Sequence, residues 1–205
     1  MLLVSIAHLC RELTTGFDQI SEERKATLEQ LSAFVQTRLE NGQQVDLIYV
    51  CTHNSRRSHI GQIAGAVAAA FYDLDNIETY SAGTEATAIH TNTLTALEDL
   101  GFHVQTLESG SNPKMRIGFG TTEHSICFSK TIDDASLPKS DFAALMTCGD
   151  ADENCPFIPG CAIRLPFRYV DPKKADGTPE VKQVYQDKVR EILREQLYVI
   201  SKVTR

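Results

Sequence analysis

Fourteen residues constrain this chain more than any others: Val45 to Ser58, VDLIYVCTHNSRRS. An apolar, largely β-branched run (Val45, Leu47, Ile48, Val50) leads into Cys51 and a short polar loop. An alanine-rich stretch then places Ile60, Ile63, Ala64, Val67 and Phe71 at helical spacing. The first pattern is that of a strand and the second that of a helix, so the segment reads strand, loop, helix. Five residues separate Cys51 from Arg57, which sets a thiol at the end of the strand and a guanidinium at the start of the helix. A loop of this kind is an anion cradle. The N–H groups of Thr52, His53, Asn54, Ser55 and Arg56 can converge on one point, and the positive end of the helix dipole faces the same point. Arg57 adds a planar fork for two oxygens of a tetrahedral oxyanion. The same field favours a thiolate at Cys51. Ser58 can donate a hydrogen bond to it, and Asn54, which tolerates left-handed backbone, can hold the curl of the loop through its amide.

The rest of the chain can be read as support for that unit. After a helix ending near Tyr72, Ile77 to Ala82 reads as a second strand closed by Gly83, and Thr91 to Leu100 as a helix with Leu94, Leu97 and Leu100 on one side and a stop at Gly101. Strand, helix, strand, helix implies parallel strands with right-handed crossovers. Phe142 to Cys148 is a third buried strand and Ala162 to Phe167 a short fourth, and a long helix begins at Pro179. Two regions fall outside this rhythm. Residues 1–44 form a helical extension: one apolar face at Leu2, Leu3, Ile6, Leu9 and Leu13, then a helix capped by Ser21, with Leu28, Leu31, Val35 and Leu39 on one side and a stop at Asn41-Gly42. Residues 102–139 form an insertion in which MRIGF and SICFSKTI can pair as a hairpin about Gly120 to Glu123. Such a hairpin can serve as a cap, an oligomer contact or an ornament. At 205 residues and 42% hydrophobic, the chain has room for one α/β domain, 45–205, with these additions.

The formal charge is −7, from 20 basic against 27 acidic residues, which disfavours nucleic acid and anionic membranes as partners but not a small anion drawn to a local positive site. No apolar run approaches the ~18 residues of a membrane span, and the first residues lack the marks of a signal peptide. The expected location is cytoplasmic. In a reducing compartment six cysteines (Cys10, Cys51, Cys127, Cys148, Cys155, Cys161) point to catalysis, redox chemistry or metal rather than a disulfide scaffold.

A nucleophile needs a partner that protonates the leaving group. Asp171, just past the last strand and stiffened by Pro172, is the candidate general acid. The segment TCGDADENCP supplies two more thiols: Cys148 at a strand end and Cys155 seven residues on, with Cys161 six beyond. Structural zinc sites pair ligands two to four residues apart, so these spacings fit zinc poorly and no metal is expected. Carboxyl ends of parallel strands share one sheet edge. Cys148 should therefore lie on the edge that carries Cys51, and a mobile segment at Gly149 to Asp152 would let thiols relay a disulfide outward.

Taken together, CTHNSRRS, SAGTEA at Ser81 to Ala86, TCGDADENCP and VDP at Val170 to Pro172 resemble the thioredoxin-coupled arsenate reductases built on the low-molecular-weight protein tyrosine phosphatase fold. The likeness spans about residues 45–101 and 140–205. It implies a four-stranded parallel sheet flanked by helices, and a relay of three thiols. Cys51 would attack arsenate held by Arg57 and the loop amides, Asp171 would protonate the departing oxygen, Cys148 would attack Cys51 to release arsenite, and Cys155 would pass the disulfide to thioredoxin. Some members bind potassium near the loop on residues matching Asn54, Gln62 and Ser81, but Gln62 stands where the family usually has glutamate, which weakens the case for that ion here. His53 and Arg56 replace the usual glycine and cysteine, and the second arginine is expected to face solvent. A phosphatase of the same fold would need Cys51, Arg57 and Asp171 but neither relay thiol. It commonly carries tyrosines after Asp-Pro, where this chain has Lys173-Lys174. A non-catalytic oxyanion binder would leave the acid and the thiols idle.

Overall fold

The computed structural model describes residues 1–154 and 157–204. Among the described residues seven strands, β1 (Val45–Cys51), β2 (Ile77–Gly83), β3 (His103–Glu108), β4 (Lys114–Gly118), β5 (His124–Cys127), β6 (Phe142–Met146) and β7 (Cys161–Leu165), form two sheets. The main one is parallel, in the order β2-β1-β6-β7; the other has the order β3-β4-β5 and is antiparallel. Leu47 pairs with Ala143 and Val50 with Met146, so alternate residues of the two central strands share a face. Leu47, Tyr49, Ala143 and Leu145 enter one apolar cluster, whereas Ile48, Val50, Ala144 and Met146 enter a second on the opposite face. Because both faces are covered, β1 and β6 read as unbroken apolar runs rather than alternating ones.

The larger cluster joins α3 (Arg57–Phe71), α4 (Thr91–Asp99) and α6 (Val181–Ser201) to α1 (Val4–Thr14) and α2 (Glu22–Glu40). Helix α3 sits directly on Tyr49: a Cβ at Gly61 would fall 2.3 Å from its ring. That close approach, with the Tyr49 hydroxyl donating to Gln196 of α6 at 2.6 Å, sets the start of α3 over the carboxyl end of β1. Ser21 caps α2 by accepting from the Arg24 N–H at 3.2 Å, and Asn41 with Gly42 (φ 66°) ends it. Arg24 anchors this helix to the rest of the molecule. Its guanidinium grips Glu195 of α6 at 2.9 and 2.7 Å and stacks on the rings of Phe167 and Tyr169, and the Tyr169 hydroxyl donates to the same carboxylate at 2.7 Å.

Several boundaries differ from the sequence pattern. The hairpin in the insertion exists as β4 and β5, but β3 adds a third strand that was not expected; HVQTLE is exposed at nearly every position, so no buried face marked it. The apolar side of this sheet (Met115, Ile117, Cys127) and Phe119 are buried in the main cluster, which packs the hairpin into the molecule. Helix α6 starts at Val181, two residues after Pro179. The segment Gly149 to Asp152, expected to be mobile, lies in a short helix, α5 (Gly149–Asn154). Among the described residues no helix is long and apolar enough to cross a membrane.

Candidate active site

From Cys51 to Arg56 every backbone carbonyl of the loop has a hydrogen-bond partner. Cys51 O accepts from Thr84 N at 3.2 Å, Thr52 O from Glu85 N at 2.8 Å, Ser55 O from His90 N at 2.9 Å and Arg56 O from Ile60 N at 3.1 Å. His53 O accepts from the hydroxyls of Thr87 (2.9 Å) and Ser129 (3.2 Å), and Asn54 O lies 2.9 Å from His59 Nε2. Carbonyl and N–H of a peptide unit point in opposite directions, so carbonyls tied outward leave amides for the inside. Among the described residues nothing accepts a hydrogen bond from the N–H groups of His53, Asn54, Ser55 or Arg56. An inward ring of unused amides over a helix N-terminus is suited to a tetrahedral oxyanion. The Ser-Ala-Gly motif is part of the same construction: a Cβ at Gly83 would lie 2.7 Å from Thr52 O and 2.8 Å from Asn54 N, so only glycine lets the loop rest on the end of β2.

Within the loop, Cys51 is 4% exposed and its Sγ is 3.1 Å from Ser58 Oγ. Asn54 takes the left-handed backbone (φ 42°), and its amide bridges two segments: Nδ2 donates to Ser58 Oγ at 2.8 Å while Oδ1 accepts from Lys130 N at 2.8 Å. Arg57 faces Asp171, with Nη2 2.5 Å from Oδ2, and a second N–H donates to Tyr169 O at 3.0 Å. The other carboxylate oxygen of Asp171 accepts from Lys173 N at 2.9 Å and caps the turn Pro172–Ala175. Arg56 does not face solvent as expected. Its guanidinium is engaged by the Tyr185 hydroxyl and by Asp176 Oδ2, both at 2.7 Å, and a second oxygen of that carboxylate accepts from Asn92 at 2.9 Å. Arg56 therefore ties the loop to α4 and α6.

Cys148 follows β6, is 1% exposed, and belongs to the same apolar cluster as Cys51. Its Sγ is 3.4 Å from the hydroxyl of Thr52, the residue next to Cys51, and accepts from Ala151 N at 3.4 Å. Asp152 of α5 is held by Arg164 and Arg168, each 2.5 Å away. Cys155 lies outside the described residues. Three further thiols are in less reactive settings: burial pushes Cys10 and Cys127 up to about 12 and also raises Cys161, whose Sγ donates to Ile163 O at 2.8 Å.

Of the three residues at the implied potassium position, Gln62 and Ser81 meet, while the Asn54 amide is engaged by Ser58 and Lys130. Ser81 Oγ lies 2.8 Å from Gln62 Oε1 and 3.0 Å from His59 Nδ1. His59 is fully buried, and desolvation with the charge of Lys130 lowers it to about 3, so the ring is neutral. Two buttresses had no signal in the sequence, Ser129-Lys130 from the insertion and Arg56 with Asp176. Both act across large sequence separations, and Ser129, Lys130 and Asp176 belong to none of the motifs.

No known protein-family profile matches the chain. Curated relatives do. An arsenate reductase of Bacillus subtilis (strain 168) is 30% identical over 145 residues, 71% of this chain and 86% of that protein. One from Halalkalibacterium halodurans is 29% identical over 145 residues, with the same coverage, and one from Oceanobacillus iheyensis 27% identical over 156 residues, covering 76% and 94%. Among solved structures, a low-molecular-weight protein tyrosine phosphatase from T. tengcongensis superposes with a TM-score of 0.51 at 17% identity, covering 78% of this chain and 97% of the other. A YwlE mutant from Bacillus subtilis gives 0.51 at 16% identity, covering 77% and 97%. The two structures share the fold: the four-stranded parallel sheet flanked by helices is that of the low-molecular-weight phosphatases.

Proposed function

Since the chain belongs to the arsenate reductase family, we propose that it reduces arsenate to arsenite with Cys51 as nucleophile and Cys148 and Cys155 as the thiols that carry the two electrons. The observation that supports the reading best is the position of Cys148, a second buried thiol that touches the neighbour of Cys51 in one apolar cluster. Hydrolysis of a phosphoester would use the loop, Arg57 and Asp171 and leave that thiol without work.

The proposed steps use these residues in turn. Arsenate enters the ring of amides and takes the Arg57 fork from Asp171. The Cys51 thiolate attacks arsenic, Asp171 protonates the departing oxygen, and water leaves. Ser58 stabilises the thiolate beforehand by donating to it. The Cys148 thiolate then attacks Cys51 Sγ: a sulfur–sulfur bond forms, the sulfur–arsenic bond breaks, and its electron pair stays on arsenic, which departs as arsenite. Attack by Cys155 on Cys148 frees Cys51 and leaves a Cys148–Cys155 disulfide for a dithiol protein of the thioredoxin class to reduce. No bound cofactor takes part.

The deciding assay is arsenite release from arsenate with thioredoxin, thioredoxin reductase and NADPH. Cys155→Ser should release one equivalent of arsenite and stop as a Cys51–Cys148 disulfide, seen by peptide mapping. Cys51→Ser should release none, and Cys10→Ser should turn over normally. A bridge from Cys51 to Cys161 instead would assign the relay to another thiol.

A further inference from the structure

The chain that leaves β5 meets the edge of the main sheet at one point. Gly83 N donates to Lys130 O at 2.9 Å and Gly83 O accepts from Ile132 N at 3.0 Å, a parallel bridge at the end of β2. In a strand the N–H and C=O of one residue point to the same side, and the side alternates along the chain. Ser81, Thr79 and Ile77 therefore turn their backbone groups to the side on which Gly83 meets the insertion, away from β1. Among the described residues nothing pairs with those groups, and β1 is the one strand listed beside β2 in the sheet. Ser81, Thr79 and Ile77 are 0%, 9% and 8% exposed, so this edge faces a cleft and not open solvent.

The opposite wall of the cleft is a strand edge too. Strand β5 pairs with β4 alone. Glu123 O accepts from Phe119 N on the β4 side, and by the same alternation His124 and Ile126 turn their backbone groups the other way. Gln62 of α3 marks that direction by donating from Nε2 to Ile126 O at 3.2 Å. The N–H groups of His124 and Ile126 have no acceptor among the described residues. Ala66, Ala69 and Ala70 of α3 form the floor. Their short side chains leave a cavity of about 540 Å³ between the two edges, within the range of ligand pockets.

Two unpaired edges on one cleft are a template for a strand between them, because an inserted backbone can use the donors and acceptors of both. Alternate side chains of such a strand meet two different surfaces. One is the alanine floor, on the side to which Ile77 and Thr79 point: Ile77 packs in the cluster that holds α3, and a Cβ at Gly65 would lie 3.1 Å from Thr79 Cγ2. The other carries Glu78, with Asp75 near it, two exposed carboxylates without an ion pair among the described residues. Glu123, also on the rim, holds the Met1 amino group, and the Lys130 ammonium is turned to the carbonyl and ring of Phe128. The charge left open at the rim is negative. We propose that this cleft binds an extended segment of a partner protein as an added strand, with apolar side chains on α3 and basic side chains beside Glu78 and Asp75. Such binding is independent of the chemistry at Cys51.

The probe is the peptide acetyl-Lys-Val-Lys-Val-Lys-Val-amide, titrated into the isotopically labelled full chain and followed by amide resonances and hydrogen exchange. At saturation, exchange at Thr79, Ser81, His124 and Ile126 should slow by about tenfold or more. The same peptide with every second amide methylated, or with glutamate in place of lysine, should bind about tenfold more weakly. Glu78→Lys reverses an exposed charge and should weaken binding by about threefold or more. Ala66→Leu raises the floor into the cleft and should weaken it by about tenfold. No protection of those amides by millimolar peptide, equal binding of the acidic peptide, or undiminished binding by either folded variant would overturn the proposal. Protection that is present without peptide and grows with protein concentration would give the cleft to a second copy of the chain and overturn it as well.

Discussion

Asp171 Oδ2 lies 2.5 Å from Arg57 Nη2, so the proposed proton donor and the proposed holder of the oxyanion are each other's partner while the loop is free. An arriving oxyanion must displace the carboxylate from the guanidinium. Asp171→Asn removes both the acid and the competitor. Turnover should fall about 10²–10⁴-fold, while inorganic phosphate, as an inhibitor, should bind at least as tightly as to the wild type. A variant that keeps turnover within threefold would remove Asp171 from the chemistry.

The Asp152 carboxylate, 6% exposed, is gripped by Arg164 and Arg168 and fastens α5 over Cys148. Cys148 is 1% exposed beneath α5, so a reagent reaches its thiol only when this segment opens. Asp152→Asn should therefore speed thiol trapping of Cys148 by about tenfold, since losing about 1.4 kcal/mol of closure is a factor of ten in opening. Trapping at the wild-type rate would mean that the arginines do not hold the segment closed.

Helix α2 bears on the acid from a distance. Arg24 neutralises Glu195, Glu195 accepts from the Tyr169 hydroxyl, and the Tyr169 carbonyl holds Arg57 two residues before Asp171. Arg24→Met leaves Glu195 buried without its partner, which should cost about 3–5 kcal/mol. Thermal melting measures that loss. Arg24→Lys should recover only part of it, because a single ammonium cannot reproduce the paired hydrogen bonds.

Buried His59 gives a pH dependence. Its pKa is held at about 3 in the fold against an ordinary value of 6.5, first by desolvation and then by the charge of Lys130. Below pH 6.5 the unfolded chain takes up a proton that the folded chain refuses, so stability falls with pH between 6.5 and about 3 and is fully present above that window. The slope from this group approaches about 1.4 kcal/mol per pH unit. Urea unfolding across that range should be flatter in His59→Gln by that amount; equal slopes would mean the ring is protonated in place.

Sequence alone placed the residues of the proposed site that are local in the chain. Cys51, Arg57 and Ser58 fall within eight residues, and the change from strand to helix periodicity fixes their placement. Asn54 was legible for the same reason, since its side chain acts on Ser58 four residues away. Strand β3 escaped because exposed HVQTLE has no buried face to set a period. Arg56 was misjudged because its partners, Asp176 and Tyr185, are more than a hundred residues away. Lys130, a cation between a serine and a threonine, looks like a surface residue until the fold encloses it.

The outward carbonyls of the anion loop are held by Thr84, Glu85, Thr87, His90 and Ser129, residues that come from the connection between β2 and α4 and from the insertion. The strand, loop and helix of residues 45–71 thus specify the site but cannot shape it by themselves. Affinity for an oxyanion should arise only when the last of these distant contacts closes, late in folding and at a sequence separation of up to 76 residues. A newly made chain with an incomplete insertion would then be blind to arsenate and phosphate alike, and a bound oxyanion would certify that the whole molecule has folded.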